Sequence, residues 1–179
     1  MPNRQGVAAP EGLTLRHHRD LEGCERRPYV RWTLLSLLVA FLLVGLANVF
    51  GQRPTHATAA AAAAELQLIV PSKLRSGLYF QARFRVSARE ELESATLVLG
   101  SGWFEGMTLN TLAPAPVGEA SRDGDVAFEL GRVPAGDEHL FFLQFQVNPT
   151  TVGRRSQRVA LYDGESLLAT IDRTATVFP

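Results

Sequence analysis

Between Trp32 and Phe50 the chain reads WTLLSLLVAFLLVGLANVF, nineteen residues without one charged side chain. At about 1.5 Å per residue, a helix of that length covers roughly 28 Å, which matches the hydrocarbon core of a bilayer. A helix buried in a soluble protein is rarely apolar all round. The segment therefore predicts one transmembrane helix over residues 32–51. Ser36 can bond back to its own helix, Asn48 lies near the far interface, and Tyr29 and Trp32 are placed as an interfacial aromatic belt.

Flanking charge gives the direction. The first 31 residues contain Arg4, Arg16, Arg19, Arg26, Arg27 and Arg31, whereas only Arg53 falls in the twenty residues after Phe50. The positive-inside rule then places the amino terminus in the cytoplasm and the rest of the chain outside the cell membrane. A cleaved signal peptide is the competing reading, because Ala57-Thr58-Ala59 offers the small residues a signal peptidase accepts. The long stretch before the apolar run and the length of the run itself favour an uncleaved signal-anchor.

Residues 1–31 carry no helical or strand periodicity and read as a disordered cytoplasmic tail. The adjacent His17 and His18 have no further ligand in spacing for a metal site. Cys24, the one cysteine, excludes an internal disulfide; its position before the span permits palmitoylation, but a free thiol is the simpler reading. Residues 52–64, QRPTHATAAAAAA, read as an alanine-rich linker. Seventeen of the eighteen basic residues are arginine, a usage typical of GC-rich bacterial genomes. With a formal net charge of +0 and no basic cluster in the carboxy-terminal domain, nothing neutralises a phosphate backbone, so nucleic acid is not an expected partner.

From Glu65 onward the period changes to two. Leu66, Leu68 and Val70 alternate with polar or outward positions, and Phe80, Ala82, Phe84 and Val86 alternate with Tyr79, Gln81, Arg83 and Arg85. Further strands are expected at 95–99, 107–112, 126–130, 140–147, 158–162, 167–172 and 175–178, making eight or nine. Asp123-Gly124 and Asp163-Gly164 supply the pair that type I′ hairpins favour. Pro71, Pro114, Pro116, Pro134 and Pro149 fall between strands, where a missing N–H removes no ladder bond. Many short strands in residues 65–179 predict an all-β, immunoglobulin-like antiparallel β-sandwich preceded by a single transmembrane helix.

The segment VPSKLRSGLYFQARFRVSAREELESATLVL resembles the opening of bacterial extracytoplasmic immunoglobulin-like modules of the conserved-repeat and NEW3 kind. There a glycine precedes a long strand, and a second strand carries apolar alternation. The resemblance implies an adhesion, spacer or accessory module without catalytic residues or cofactors. GSGWFEGMTLNTLAPAP and LQFQVNPTTVGRR have no counterpart in it.

No GxSxG elbow, HExxH, P-loop or GxGxxG motif is present. Only His56 and His139 follow the span, which disfavours a histidine triad or multi-histidine metal site. The remaining acids, among them Glu105, Asp123, Asp125, Asp163 and Glu165, sit in turns, where carboxylates are normally solvated; Asp123 and Asp125 alone fall short of a calcium site. No catalytic, metal or cofactor residues are therefore expected. The candidate partner-binding residues are Trp103, Phe104 and Met107 in a glycine-rich loop, with Arg154 and Arg155 after Gly153. The loop can alternatively tuck its aromatics over the open end of the sandwich, and the arginines can mark a solvated hairpin tip. The expected function is a membrane-anchored, non-catalytic binding or scaffold module for an envelope protein partner. The second is a carbohydrate- or envelope-polymer-binding module that stacks ligand on Trp103, Phe104 and Tyr79.

Overall fold

A computed structural model describes residues 27–47 and 51–179, with Arg27 and Pro28 as backbone only. The tail before Arg27, including Cys24, His17 and His18, lies outside the described residues. The chain divides into two units, Met1–Val49 and Phe50–Pro179. In the first, helix α1 spans Arg27–Leu46, beginning and ending about five residues earlier than the apolar run. Its stretch Tyr29–Leu46 is long and apolar enough to cross a membrane, and none of it is buried.

The second unit is a two-layer β-sandwich of eleven strands: β1 Pro54–Ala60, β2 Ala64–Pro71, β3 Lys73–Arg75, β4 Tyr79–Ala88, β5 Leu92–Leu99, β6 Met107–Ala113, β7 Gly118–Arg122, β8 Asp125–Val133, β9 Glu138–Val147, β10 Gly153–Asp163 and β11 Ser166–Phe178. One sheet has the order β1-β2-β4-β9-β6, the other β3-β11-β10-β5-β8-β7. All pairings are antiparallel except β3 with β11, which run parallel from Lys73↔Thr176 to Arg75↔Phe178.

The period-two pattern builds the core. On β4, Phe80, Ala82, Phe84 and Val86 are buried while Tyr79, Gln81 and Arg83 face water. They meet Phe141, Leu143, Phe145 and Val147 of β9 on one layer and Leu97, Leu99, Phe128, Val159 and Leu161 of the other. Each fully buried Leu, Val or Phe side chain contributes on the order of 1.5–3 kcal/mol relative to exposure. The unit needs no disulfide.

Three strands were not expected, and the linker, the last two strands and the second turn are corrected. Residues 54–60, read as linker, form β1, paired residue by residue with β2 from Pro54↔Pro71 to Ala60↔Glu65. Thr55 donates its hydroxyl to the Val70 carbonyl at 2.7 Å, and Ala57 and Ala59 pack against the core. Alanine on both faces hides the alternation that would mark such a strand. β3 is too short, and β7 (GEASR) too polar, to show a pattern. The two strands expected at 167–172 and 175–178 are one, β11.

The Asp123-Gly124 turn is as expected: Arg122 pairs with Asp125, and both turn residues take positive φ, 53° and 86°. The second turn is shifted by one residue. Asp163 pairs with Ser166, leaving Gly164-Glu165 at the tip with positive φ at Gly164 alone, the pattern of a II′ turn.

Candidate functional site

The loop from Gly100 to Met107 carries the strongest sequence signal and closes one end of the sandwich. A 3₁₀ turn at Ser101–Trp103 directs Trp103 inward, where its exposure is 0%. Its indole donates to the Arg158 carbonyl at 3.0 Å, which satisfies the polar end of an otherwise apolar ring. The rings of Phe84 and Phe145 lie 5.7 Å from it, and Phe104 meets Phe145 edge-on at 5.9 Å. Met107 is also buried. The glycines make this approach possible: a Cβ at Gly102 would collide with the Ser156 carbonyl, and one at Gly106, where φ is +73°, with the Thr151 side chain.

Trp103 and Met107 are therefore core residues and present nothing to a partner; Phe104 is half-buried against the same core. This corrects the exposed-anchor reading of the loop, and the tucked alternative is the observed one. The reason is energetic: a tryptophan at the open end of a sandwich gains more by filling it than by facing water. A stacking platform of Trp103, Phe104 and Tyr79 is not formed.

Arg154 and Arg155 lie at the start of β10, paired with Thr176 and Ala175, and not at a hairpin tip. Arg154 is exposed. Arg155 is half-buried; its Nε donates to the Glu105 carbonyl at 3.4 Å and lies 3.9 Å from the Glu105 carboxylate. The fold thus joins the two sequence-predicted groups, but as a latch between β10 and the loop.

The turn carboxylates are also occupied locally. Asp125 accepts the Ser101 amide at 3.1 Å, and Asp163 accepts the Ser94 amide at 2.7 Å. Among the described residues, no three His, Cys, Asp or Glu side chains are grouped to hold a metal ion. An open polar cleft of about 440 Å³ lies on the second sheet, lined by Ser94, Thr96, Ser121, Arg122, Asp123 and Glu129 among others. Its guanidinium is committed: Arg122 sits 3.9 Å over the Tyr162 ring and donates to the Gly164 carbonyl at 2.9 Å and the Glu165 carboxylate at 2.6 Å. Arg122 ties the β7–β8 hairpin across to the β10–β11 turn, over the small patch of Val98, Ala127 and Ala160.

The outer face of the first sheet is different. Tyr79 is 54% exposed and Leu140 is 37% exposed. Between them, register places Gln81 beside Gln144, Arg83 beside Phe142 and Arg85 beside Leu140. The Arg83 guanidinium carbon lies 5.3 Å over the Phe142 ring, and Arg85 reaches Glu138 at 3.7 Å. An arginine held over an aromatic ring, on an extended sheet face, is an arrangement that can bind without rearranging. The sequence marked Tyr79, Arg83 and Arg85 as the wet side of a strand. It did not mark Phe142, because the adjacent Phe141 breaks the visible alternation.

No protein-family model matches the chain, and no curated protein matches it in sequence. Solved structures similar to it include CaCohA2 from Clostridium acetobutylicum, at 12% identity and a TM-score of 0.41, covering 58% of this chain and 85% of that one. The cupredoxin domain of amoB from Nitrosocaldus yellowstonii is similar at 13% identity and a TM-score of 0.35, covering 56% of each chain. A superoxide reductase (neelaredoxin) from Ignicoccus hospitalis is similar at 14% identity and a TM-score of 0.33, covering 68% of this chain and 83% of that one. Scores this low say nothing about what the chain does.

Proposed function

We propose that this is a non-catalytic binding module of a bacterial envelope, anchored by α1 with its amino terminus in the cytoplasm, that holds another envelope protein on the outer face of its first sheet. Anchorage is supported by the exposure of α1: leucine, valine and phenylalanine side chains from Val30 to Leu46 stand open on every side, a surface that only lipid or another apolar body can cover. Direction rests on the arginine asymmetry around it.

An immunoglobulin-like type is supported by strand order. Taken in chain order, β2, β4, β9 and β6 stand where strands A, B, E and D do, and β11, β10 and β5 stand where G, F and C do. β1 and the β7–β8 hairpin are additions at opposite edges.

The observation that carries the binding reading is the Arg83–Phe142 pair flanked by Tyr79. Arginine and aromatic side chains dominate the energetics of protein interfaces. With Arg85 in the same row, the face fits an acidic surface on the partner. The test is chemical crosslinking of the tagged full-length chain in its native host, followed by capture and mass spectrometry, with a span-only control. The expected result is one stoichiometric envelope protein, lost when Arg83→Glu and Tyr79→Ala are combined. Retention of the same protein by the double variant would remove this face from the proposal.

A further inference from the structure

A β-sandwich must protect the unpaired backbone at the edges of its sheets, since a free edge is a template for another strand. Four of the five free stretches here are defended. β3 has three residues. β7 has five and carries Glu119 and Arg122. β6 is interrupted by a bulge between Leu109 and Thr111 and is followed by Pro114 and Pro116. β11 is covered by β3 only from Thr176 to Phe178; the rest of its edge has a register shift beside Leu161 and Tyr162 and the inward-lying Arg173.

β1 has none of these devices beyond Pro54 at its first position. It follows β2 for seven residue pairs without a register shift and contains no Asp, Glu, Lys or Arg. Pro54, Thr55, His56, Thr58 and Ala60 are exposed.

We propose that the free edge of β1 pairs antiparallel with the same edge of a second copy of this chain, fusing the two five-stranded sheets into one. The number of undefended edges selects this partner. Two such edges on one molecule would join head to tail and grow open chains, whereas a single self-complementary edge closes as a two-fold dimer. β1 is its own complement. With the two-fold near Ala57, Ala57 faces its own copy, His56 faces Thr58 and Thr55 faces Ala59, and no like charges oppose one another along the strand. At the ends of β1, Arg53 lies eight residues along the strand from its own copy when the two-fold is near Ala57, roughly 27 Å, and Arg89 is paired with Glu65. The outward arginines within the sheet, Arg83 and Arg85, stand on β4, two strands in. From β4 to its copy is five strand spacings, roughly 24 Å, well beyond the screening length of about 8 Å at physiological salt.

A ladder of this length buries less than the roughly 1,000 Å² of a self-sufficient interface, so in the cell it draws on the high local concentration that a shared membrane gives. That last step rests on the anchorage proposed above; the edge pairing does not.

The test uses the full chain in native membranes and in detergent, in a Cys24→Ser background, with single cysteines placed in turn from Thr55 to Ala60. A residue facing its own copy across antiparallel strands has a Cα separation of about 4.5–5.5 Å, within disulfide range. The expected result is a disulfide-linked homodimer strongest at Ala57→Cys, falling at least tenfold when Thr58→Lys is added, with Ala113→Cys on the β6 edge remaining monomeric. Thr58 is exposed and its replacement leaves the core intact, so unchanged thermal unfolding of that variant distinguishes lost pairing from lost folding. Monomer at every β1 position, or a disulfide to a different protein, overturns the proposal. Alkaline extraction of the same membranes reads the anchorage independently, because a chain released by carbonate can still pair through β1.

Discussion

Two segments of the sandwich exchange the roles their sequences suggest. The Gly100–Met107 loop has a tryptophan, a phenylalanine and a methionine among glycines, and its apolar side chains are taken into the core. Pro54–Ala60 has alanine, threonine and one histidine, and holds the exposed edge of a sheet. Large aromatic groups gain most by leaving water, so they are taken up by packing first. What stays available for partners is what packing leaves behind: unpaired backbone on β1, and the outward row of β4 and β9.

The sharpest way to break this contrast is Trp103→Ala. If the loop is core, the substitution removes a fully buried ring in contact with Phe84 and Phe145 and should lower stability by about 3–5 kcal/mol. Chemical denaturation of the full chain in detergent measures it. A loss below about 0.5 kcal/mol would mean that the loop opens in solution and that its aromatics are surface groups.

Gly102→Ala tests the same loop through its backbone. The added methyl group would occupy the space of the Ser156 carbonyl, which cannot swing away as a side chain can. Forcing the loop and β10 apart should destabilise by about 1–3 kcal/mol. Gly124→Ala, at a turn glycine with open space around it, serves as the comparison: only its positive φ opposes the change. A larger loss at Gly124 than at Gly102 would show that backbone conformation, not close packing, governs both sites.

Gln157 offers a change in the other direction. It is 0% exposed on β10, paired in register with Arg173; among the described residues its Oε1 has no partner, and its Nε2 reaches the Met107 sulfur at 4.0 Å. An unmet buried acceptor typically costs about 1–3 kcal/mol. Gln157→Met keeps the length and removes the amide, and should raise the unfolding midpoint. A fall would reveal a hydrogen-bonding group, such as a bound water, that the amide serves.

The same contrast explains what the sequence could disclose. Strands β2, β4, β8 and β9 were legible because one face is apolar and the other polar, as in Phe80, Ala82, Phe84 and Val86 against Tyr79, Gln81, Arg83 and Arg85. β1 was not, since Ala57 and Ala59 face the core while Ala60 faces out, and one residue type on both faces has no period. β11 read as two strands because Arg173 sits on its inward side, where a side chain can reach the Pro71 carbonyl at 2.8 Å, and interrupts the apolar row between Ile171 and Ala175. At the proposed binding face, the β4 half was visible. The β9 half depends on register, which no local pattern supplies.

The smallest effect concerns His139, near the start of β9 on its inward side and paired in register with Val86. Partial burial lowers its pKa from the usual 6.5, since the imidazolium is less well solvated there. The unfolded chain then binds a proton that the folded chain refuses, over a window just below pH 6.5. Stability from this group is present above that window and declines as pH falls through it. His139→Gln should flatten the stability curve just below pH 6.5 relative to the parent chain, with the two curves converging above that window. Because His139 is only partly buried, the difference will be a fraction of what a fully buried histidine would show. A parent curve steeper than the variant's in the opposite sense would mean that a nearby carboxylate, with Glu138 adjacent in sequence, holds the imidazolium and outweighs desolvation.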